Sequence, residues 1–399
     1  MNRVELIAPC HFGLEAVLKR EIQNLGYEIT RVEDGRVTFA GDISAVCRAN
    51  IFLRSAERIL LKCADFTAVT YDELYEKTRM VRWSDYLPRG AKCWVAKASS
   101  IRSRLFSPSD IQSIIKKAIV DSLMLSWNTD TIPETGPAYP LRVFVLRDEF
   151  IVGLDTTGES LHKRGYRTST VKAPISETLA APLLMLTHWN PERPLVDPFC
   201  GSGTFPIEAA LMAAHIAPGI NRDFLSEDWD NLIDRRMWYQ AVSEAQDLEN
   251  HSVKTDIEGY DIDPECVAMA SENAERAGVA DLVKFGRRPV AELSHSGSYG
   301  VIITNPPYGE RLENQETLPP IYRALGIRYS FLDKWSMYLI TSYKDAEKMI
   351  GRRADRNRKI YNGMIQTYFY IYEGPRPPRG TFSAAAWGSG RSGRDGKTE

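Results

Sequence analysis

The chain has 399 residues, 43% of them hydrophobic, with a formal net charge of −2. That length suits two or more cores rather than one. A charge near zero excludes a general polyanion binder, so any nucleic-acid contact must come from local basic surface.

Residues 1–45 alternate strand and helix. Arg3, Glu5, Glu15 and Lys19 stand among their apolar positions, so no signal peptide is expected. Leu14, Val17, Leu18, Ile22 and Leu25 make one helical stripe, and Gly26 follows as a C-cap candidate. Arg36–Phe39 predicts a strand. A second α/β unit runs from about residue 46 to 155. Its clearest helix is predicted over Asp110–Leu125, with Ile111, Ile114, Ile115, Ala118, Ile119 and Leu123 on one face and Lys116 and Lys117 on the other. Ser109 and Gln112 form a capping-box pattern at its start. The runs Leu141–Leu146 and Phe150–Leu154, separated by Arg147-Asp148-Glu149, predict a hairpin. Lys97, Arg102, Arg104, Lys116, Lys117, Lys163, Arg164, Arg167 and Lys172 gather around this unit. They are either a solvated face or a phosphate-contact surface.

An apolar run from Pro194 ends in Asp197-Pro198-Phe199-Cys200-Gly201-Ser202-Gly203-Thr204-Phe205. A helical pattern follows, with Phe205, Ala209, Leu211, Met212 and Ile216 apolar. Strand, glycine turn and helix together let the backbone approach a ligand at a helix N-terminus. The third Gly of the dinucleotide fingerprint is missing, which fits S-adenosylmethionine better than NAD. Residues 217–256 read as a mostly helical insertion containing Trp229 and Trp238. Next, Ile257–Pro264 reads as a strand ending in acids. Asp261 is assigned to ribose hydroxyls, Ile262 to packing on adenine, and Asp263 to capping the helix that opens at Pro264.

Gly300–Thr304 predicts a buried strand, followed by Asn305-Pro306-Pro307-Tyr308. The lone pair of an aromatic amine is delocalised into its ring. The Asn305 side-chain oxygen and the Pro306 carbonyl are two acceptors that draw such an amine towards tetrahedral geometry. The prolines hold that carbonyl without a competing N–H. Tyr308 can stack on the base, a contact worth ~1–3 kcal/mol. Alone, this segment is equally a proline-rich turn. Further on, Arg352, Arg353, Arg356, Arg358 and Lys359 precede a strand at 365–372 and either frame an RNA entrance or form a plain exposed turn. Residues 374–399 read as a disordered tail with weak RNA affinity. The six cysteines (10, 47, 63, 93, 200 and 266) show no C-x-x-C pair and no zinc spacing, so free thiols, no metal and a cytoplasmic setting are expected. No apolar run approaches the ~18 residues of a membrane span.

DPFCGSGTF, GYDIDP and TNPPYGERL resemble the THUMP-domain RNA methyltransferases, and within them the enzymes acting on the guanine N2 amine of large-subunit (23S) rRNA. SRLFS leading into QSIIKKAIVDSL, GLDTTGESLHKRGYR, APISETLAA, IAPG and RKIYNG also resemble that family. The likeness covers roughly residues 1–373, and it is to the N-terminal half of a longer form that carries a second methyltransferase domain.

The resemblance implies an α/β fold: a Rossmann-like class I methyltransferase domain with a seven-stranded doubly wound sheet, behind an α+β ferredoxin-like and THUMP region. The expected layout is 1–45 ferredoxin-like, 46–160 THUMP, 161–373 methyltransferase and 374–399 tail. A hairpin is expected at the edge of the catalytic sheet. Asp197, Pro198, Gly201, Gly203, Thr204, Asp261 and Ile262 would hold S-adenosylmethionine. Asn305, Pro306, Pro307 and Tyr308 would grip the target amine. From the clustering of basic residues beside such a site, Arg102, Arg104, Lys116, Lys163, Arg164 and Arg167 are expected to meet RNA phosphates. The family often places an acid on the adenine amine, and Pro289 stands there instead, so backbone groups are expected to make that contact. Transfer RNA, adenine N6 and a non-catalytic RNA-binding assembly role are the competing readings. DNA is disfavoured because no target-recognition insert appears and a THUMP-like unit does, and protein substrates because the enzymes that take them resemble a different N-terminal helical domain.

Overall fold

The computed structural model describes residues 3–167, 175–308, 316–363 and 365–382. Lys172 and residues 309–315, which include the end of the TNPPYGERL motif, lie outside the described residues, as do 383–399.

The N-terminal half contains β1 (Val4–Pro9), α1 (Glu15–Asn24), β2 (Glu28–Glu33), β3 (Arg36–Gly41), α2 (Ser44–Phe52), β4 (Leu60–Thr67), α3 (Tyr71–Arg79), β5 (Lys92–Ile101), α4 (Pro108–Trp127), β6 (Ala138–Leu146) and β7 (Glu149–Asp155). Its strands form one sheet in the order β2-β3-β1-β4-β7-β6-β5. Only β5 and β6 pair in parallel. The β1–β4 pairing, Leu6 opposite Leu61, runs the two expected N-terminal units together. The division expected at residue 45 therefore falls within one continuous sheet.

Local chemistry explains the elements. The stripe of α1 buries Val17, Leu18 and Ile22, and Gly26 follows at φ +89°. Ser107, not Ser109, caps α4: its hydroxyl accepts from the Asp110 amide, and Pro108 opens the helix. Gln112 reaches the Val95 carbonyl instead of closing a capping box. Arg147 and Asp148 both take positive φ (52° and 66°), the tight turn that matches strand twist in a two-residue hairpin.

The C-terminal half contains α5 (Glu177–Met185), β8 (Leu195–Asp197), α6 (Thr204–Ala213), α7 (Arg235–Asp247), β9 (Ile257–Asp261), α8 (Pro264–Arg276), β10 (Val283–Arg287), β11 (Val301–Thr304), α9 (Leu318–Ser330), β12 (Ser336–Thr341), α10 (Ala346–Ile350), β13 (Arg356–Asn362) and β14 (Ile365–Tyr372). The sheet order is β10-β9-β8-β11-β12-β14-β13. Strands β8 to β12 are parallel, and β14 enters antiparallel between β12 and β13. Strand order reverses between β8 and β11, so their carboxyl ends open a crevice. Every residue of α6 is buried, as expected of a helix enclosed on all sides.

The insertion at 217–256 departs from expectation. It holds one 13-residue helix, α7, and a short 3₁₀ turn at Leu225–Asp228. Its tryptophans pack into the N-terminal core. Trp229 stacks on Tyr139 at 4.5 Å and donates its indole N–H to the Ala138 carbonyl. Trp238 stacks on Phe224 at 5.1 Å. Arg48 of α2 forks onto Glu244 of α7 with two 2.7 Å bonds. The insertion thus fastens the catalytic sheet to the first one. The start of the expected tail is also ordered: the Gly374 amide donates to Ser336 at 3.0 Å, and Phe382 meets Tyr299 edge-on.

Candidate active site

Asp197 ends β8, Asp261 ends β9 and Thr304 ends β11, all on the carboxyl edge of the second sheet. Asp197 is 2% exposed. Its Oδ1 accepts from the Thr304 hydroxyl at 2.6 Å and from the Phe199 amide at 3.1 Å. Burial pushes its carboxyl up to about 7, and the neighbouring Asp261 charge adds to the rise. Among the described residues its hydrogen-bond partners are a hydroxyl and an amide, with no cation. An ammonium group would complete this environment.

The glycine loop is built for close approach. Gly201 and Gly203 take φ of 51° and 84°. A Cβ on Gly203 would come within 2.9 Å of Phe285 and 3.0 Å of Ala270. The loop is held from β9 and α8: the Gly201 amide donates to Asp261 Oδ2 at 3.0 Å, and buried Asn273 donates to the Ser202 carbonyl at 3.0 Å. Pro198 is buried beneath it. Thr204 opens α6, buried, and its hydroxyl accepts from Arg167.

The two acids after β9 divide their work. Asp263 caps α8 through the Glu265 amide at 2.9 Å. Asp261 accepts one amide on each oxygen, which leaves further lone pairs for hydroxyl donors. Beside it Ile262 is 65% exposed, an apolar shelf at the edge of the crevice. Arg288 lies 3.8 Å over the Tyr260 ring.

Asn305 follows Thr304 directly. Its Oδ1 is buried and meets no hydrogen-bond donor among the described residues. A buried acceptor without a donor is costly, and such atoms mark places where a ligand supplies the missing partner. Pro306 is buried and Pro307 exposed. The turn is braced from behind: Tyr322 donates to the Pro307 carbonyl at 3.1 Å and shares a 2.6 Å bond with Thr341. Half-buried Tyr308 accepts from Asn362 at the tip of the β13–β14 hairpin, at 2.9 Å.

Three of the six residues expected on phosphates are engaged elsewhere. Arg164 is 4% exposed; its guanidinium lies 3.5 Å from Glu208 and donates to the Leu161 and Arg54 carbonyls. Arg167 pairs with Glu177 at 3.2 Å besides holding Thr204. Lys116 is anchored on the Cys93 carbonyl and on Glu134. Arg164 and Arg167 are the inner halves of buried ion pairs, which charge in a sequence does not distinguish from surface cations, whereas Lys116 is half-exposed. Lys163 is exposed and paired with Glu159 at 2.9 Å. Arg102 and Arg104 stay exposed on the loop after β5. The roles of Thr304, Asn273, Tyr322 and Asn362 are not legible in the sequence, because each acts through a residue elsewhere in the chain.

Asp256, Glu258 and His295 come within reach of a common ion. His295 Nδ1 accepts from the Gly297 amide at 2.9 Å, which leaves Nε2 protonated towards Asp256 and unable to ligate.

This fold, with a buried acid on β8, a glycine loop and an Asn-Pro-Pro-Tyr turn after β11, defines a class I methyltransferase. The profile described as "RMKL-like, methyltransferase domain" matches residues 164–371, "RlmL ferredoxin-like domain" matches 5–60 and "THUMP domain" matches 68–155. The chain belongs to this RMKL-like family of THUMP-bearing, S-adenosylmethionine-dependent RNA methyltransferases. It is 45% identical over 374 residues to YpsC of Bacillus subtilis (strain 168), named as a candidate RNA methyltransferase, covering 93% of this chain and 96% of that one. It is 35% identical over 387 residues to the ribosomal RNA large subunit methyltransferase K/L of Cellvibrio japonicus (strain Ueda107), covering 92% of this chain. The chain spans about half, 51%, of that relative's length. Among solved structures, SMU.472, a candidate methyltransferase complexed with SAH, superposes with TM-score 0.89 at 39% identity, covering 95% of this chain and 100% of that one. No described helix is long and apolar enough to cross a membrane.

Proposed function

We propose that this protein methylates the exocyclic N2 amine of a guanine in 23S large-subunit rRNA, in the cytoplasm. The observation that carries the proposal is the buried, unpartnered Oδ1 of Asn305 at the carboxyl end of β11. It is an acceptor awaiting an N–H donor, beside the Pro306 carbonyl that an amine's second hydrogen can meet. The guanine and the ribosomal RNA are supported by the likeness to the K/L relative, and transfer RNA is the alternative substrate.

In this reading Asp197, Pro198, Gly201, Gly203 and Thr204 hold the methionine end of S-adenosylmethionine. Asp261 receives the ribose hydroxyls, and Ile262 packs on the adenine. The cofactor supplies an electrophilic methyl group on its sulfonium. Asn305 Oδ1 and the Pro306 carbonyl orient the amine, Pro307 stiffens the turn, and Tyr308 stacks on the base. Alignment supplies most of the acceleration. The expected organisation remains a ferredoxin-like part and a THUMP unit that position RNA through Arg102, Arg104 and Lys163, ahead of the catalytic domain at 161–373.

Nucleoside mass spectrometry on large-subunit rRNA and on tRNA, from cells with and without the gene, tests this directly. Loss of N2-methylguanosine from large-subunit rRNA alone is the expected result. Loss from tRNA alone would transfer the mechanism to tRNA. No change in either pool would overturn the proposal.

A further inference from the structure

The loop after β1 leaves its own unit and docks on the catalytic domain. Gly13, at φ +87°, lies so close to β13 that a Cβ there would sit 3.4 Å from the Lys359 carbonyl. Its own carbonyl accepts from Arg358 at 3.0 Å. His11 in the same loop is tied to Glu57 at 3.0 Å and lies 3.3 Å from the Ser176 hydroxyl just before α5. Between these anchors Phe12 remains 46% exposed.

Phe12 meets Tyr361 edge-on, with centroids 6.4 Å apart and planes at 75°. The ammonium of Lys359 lies 5.3 Å from the same Tyr361 ring. Tyr361 is followed by Asn362, the residue that donates to Tyr308. Strand β13 runs parallel to β12, because both pair antiparallel with β14. Its last residues therefore reach the carboxyl edge of the sheet, where Asn305 stands. Aromatic faces, two exposed cations (Arg358 and Lys359) and the amine cradle thus occupy one rim.

We infer that Phe12 and Tyr361 form a stacking platform for an unpaired nucleotide flanking the target base, with Arg358 and Lys359 meeting its phosphates. Such a platform is sequence-tolerant, because every base has a π-face. It also gives the N-terminal unit a direct role at the active-site mouth, beyond the phosphate contacts proposed for it. The inference rests on RNA being the substrate, but not on which base is methylated.

The test uses the full chain and a fluorescein-labelled single-stranded RNA of mixed sequence, read by fluorescence anisotropy across a salt series. Phe12→Ala should weaken binding about 5-fold to 150-fold, the range of one lost base stack. Its salt slope should stay that of the parent, and Phe12→Trp should bind like the parent. Lys359→Ala should lower the salt slope by about 0.7, the single-strand value for one phosphate contact. Parent-like binding by both Phe12→Ala and Lys359→Ala, or no measurable binding by the parent protein, would overturn the inference. Methyl incorporation into rRNA, scored separately, reports on the proposed reaction without affecting this result.

Discussion

Two short basic segments look alike in the sequence and end in opposite environments. Arg102 and Arg104 sit on the loop after β5 and face solvent, with Phe106 exposed between them and α4. Arg164 and Arg167, before α5, turn inward against Glu208 and Glu177. The first segment is free to meet a polyanion. The second is a joint: Arg164 reaches back to the Arg54 carbonyl of the N-terminal half, while Arg167 holds the helix that follows the glycine loop. A cation becomes structural when a buried acid faces it and remains available when none does.

The largest expected effect comes from the joint. Glu208 is fully buried, and Arg164→Ala would remove its counter-charge and leave it the Tyr166 hydroxyl alone, a change that costs ~3–5 kcal/mol. Urea unfolding measures it. A loss no larger than the ~1 kcal/mol of an exposed pair would return Arg164 to the surface class.

Asn305→Ala should lower methyl transfer by roughly 10²–10³, the usual consequence of removing one polar group aimed at the reacting centre. Cofactor affinity, followed by calorimetry, should stay that of the parent. Transfer at the parent rate would show that the unpartnered Oδ1 has no part in gripping the amine.

Asp197 contributes a smaller, pH-dependent effect. Its carboxyl is raised from 3.8 to about 7, so within that window the folded, cofactor-free chain binds more protons than the unfolded one. The contribution of Asp197 to stability is therefore present at low pH and declines as pH rises through the window. The difference in Tm between parent and Asp197→Asn, followed against pH, should reveal this decline. A constant difference from pH 4 to pH 8 would contradict it.

The mildest changes belong to the exposed segment. Arg102→Ala and Arg104→Ala should leave stability within ~0.5 kcal/mol. Each should lower the slope of log affinity for double-stranded RNA against log salt by up to about 0.9. If neither alters the slope while Lys163→Ala does, phosphate contact lies at the junction instead.

Much of the catalytic domain was legible because its chemistry is carried by contiguous residues. Asp197 to Thr204 prescribe strand end, left-handed glycines and helix start within eight positions. Asp263 and Pro264 announce a helix cap in two. The insertion was misjudged for the opposite reason: Trp229 and Trp238 are apolar in any context, and their partners Tyr139 and Phe224 do not lie on a common helix face with them. Ser109 was mistaken for a cap because Ser107 and Ser109 are chemically equivalent, and only the backbone path into α4 selects between them.

By itself the sequence determined whatever depends on φ, ψ and near neighbours. That includes the alternation of strand and helix, the glycine loop, the Asn-Pro-Pro-Tyr turn and the presence of a hairpin around Arg147-Asp148, whose two-residue turn only the structure showed, because Glu149 already pairs in β7. The tertiary structure decided which cations meet solvent, which residues brace the Asn-Pro-Pro-Tyr turn, and that Phe12 reaches the catalytic rim. Those outcomes depend on burial, and burial is set by partners far along the chain, as when Arg48 meets Glu244 across 196 positions.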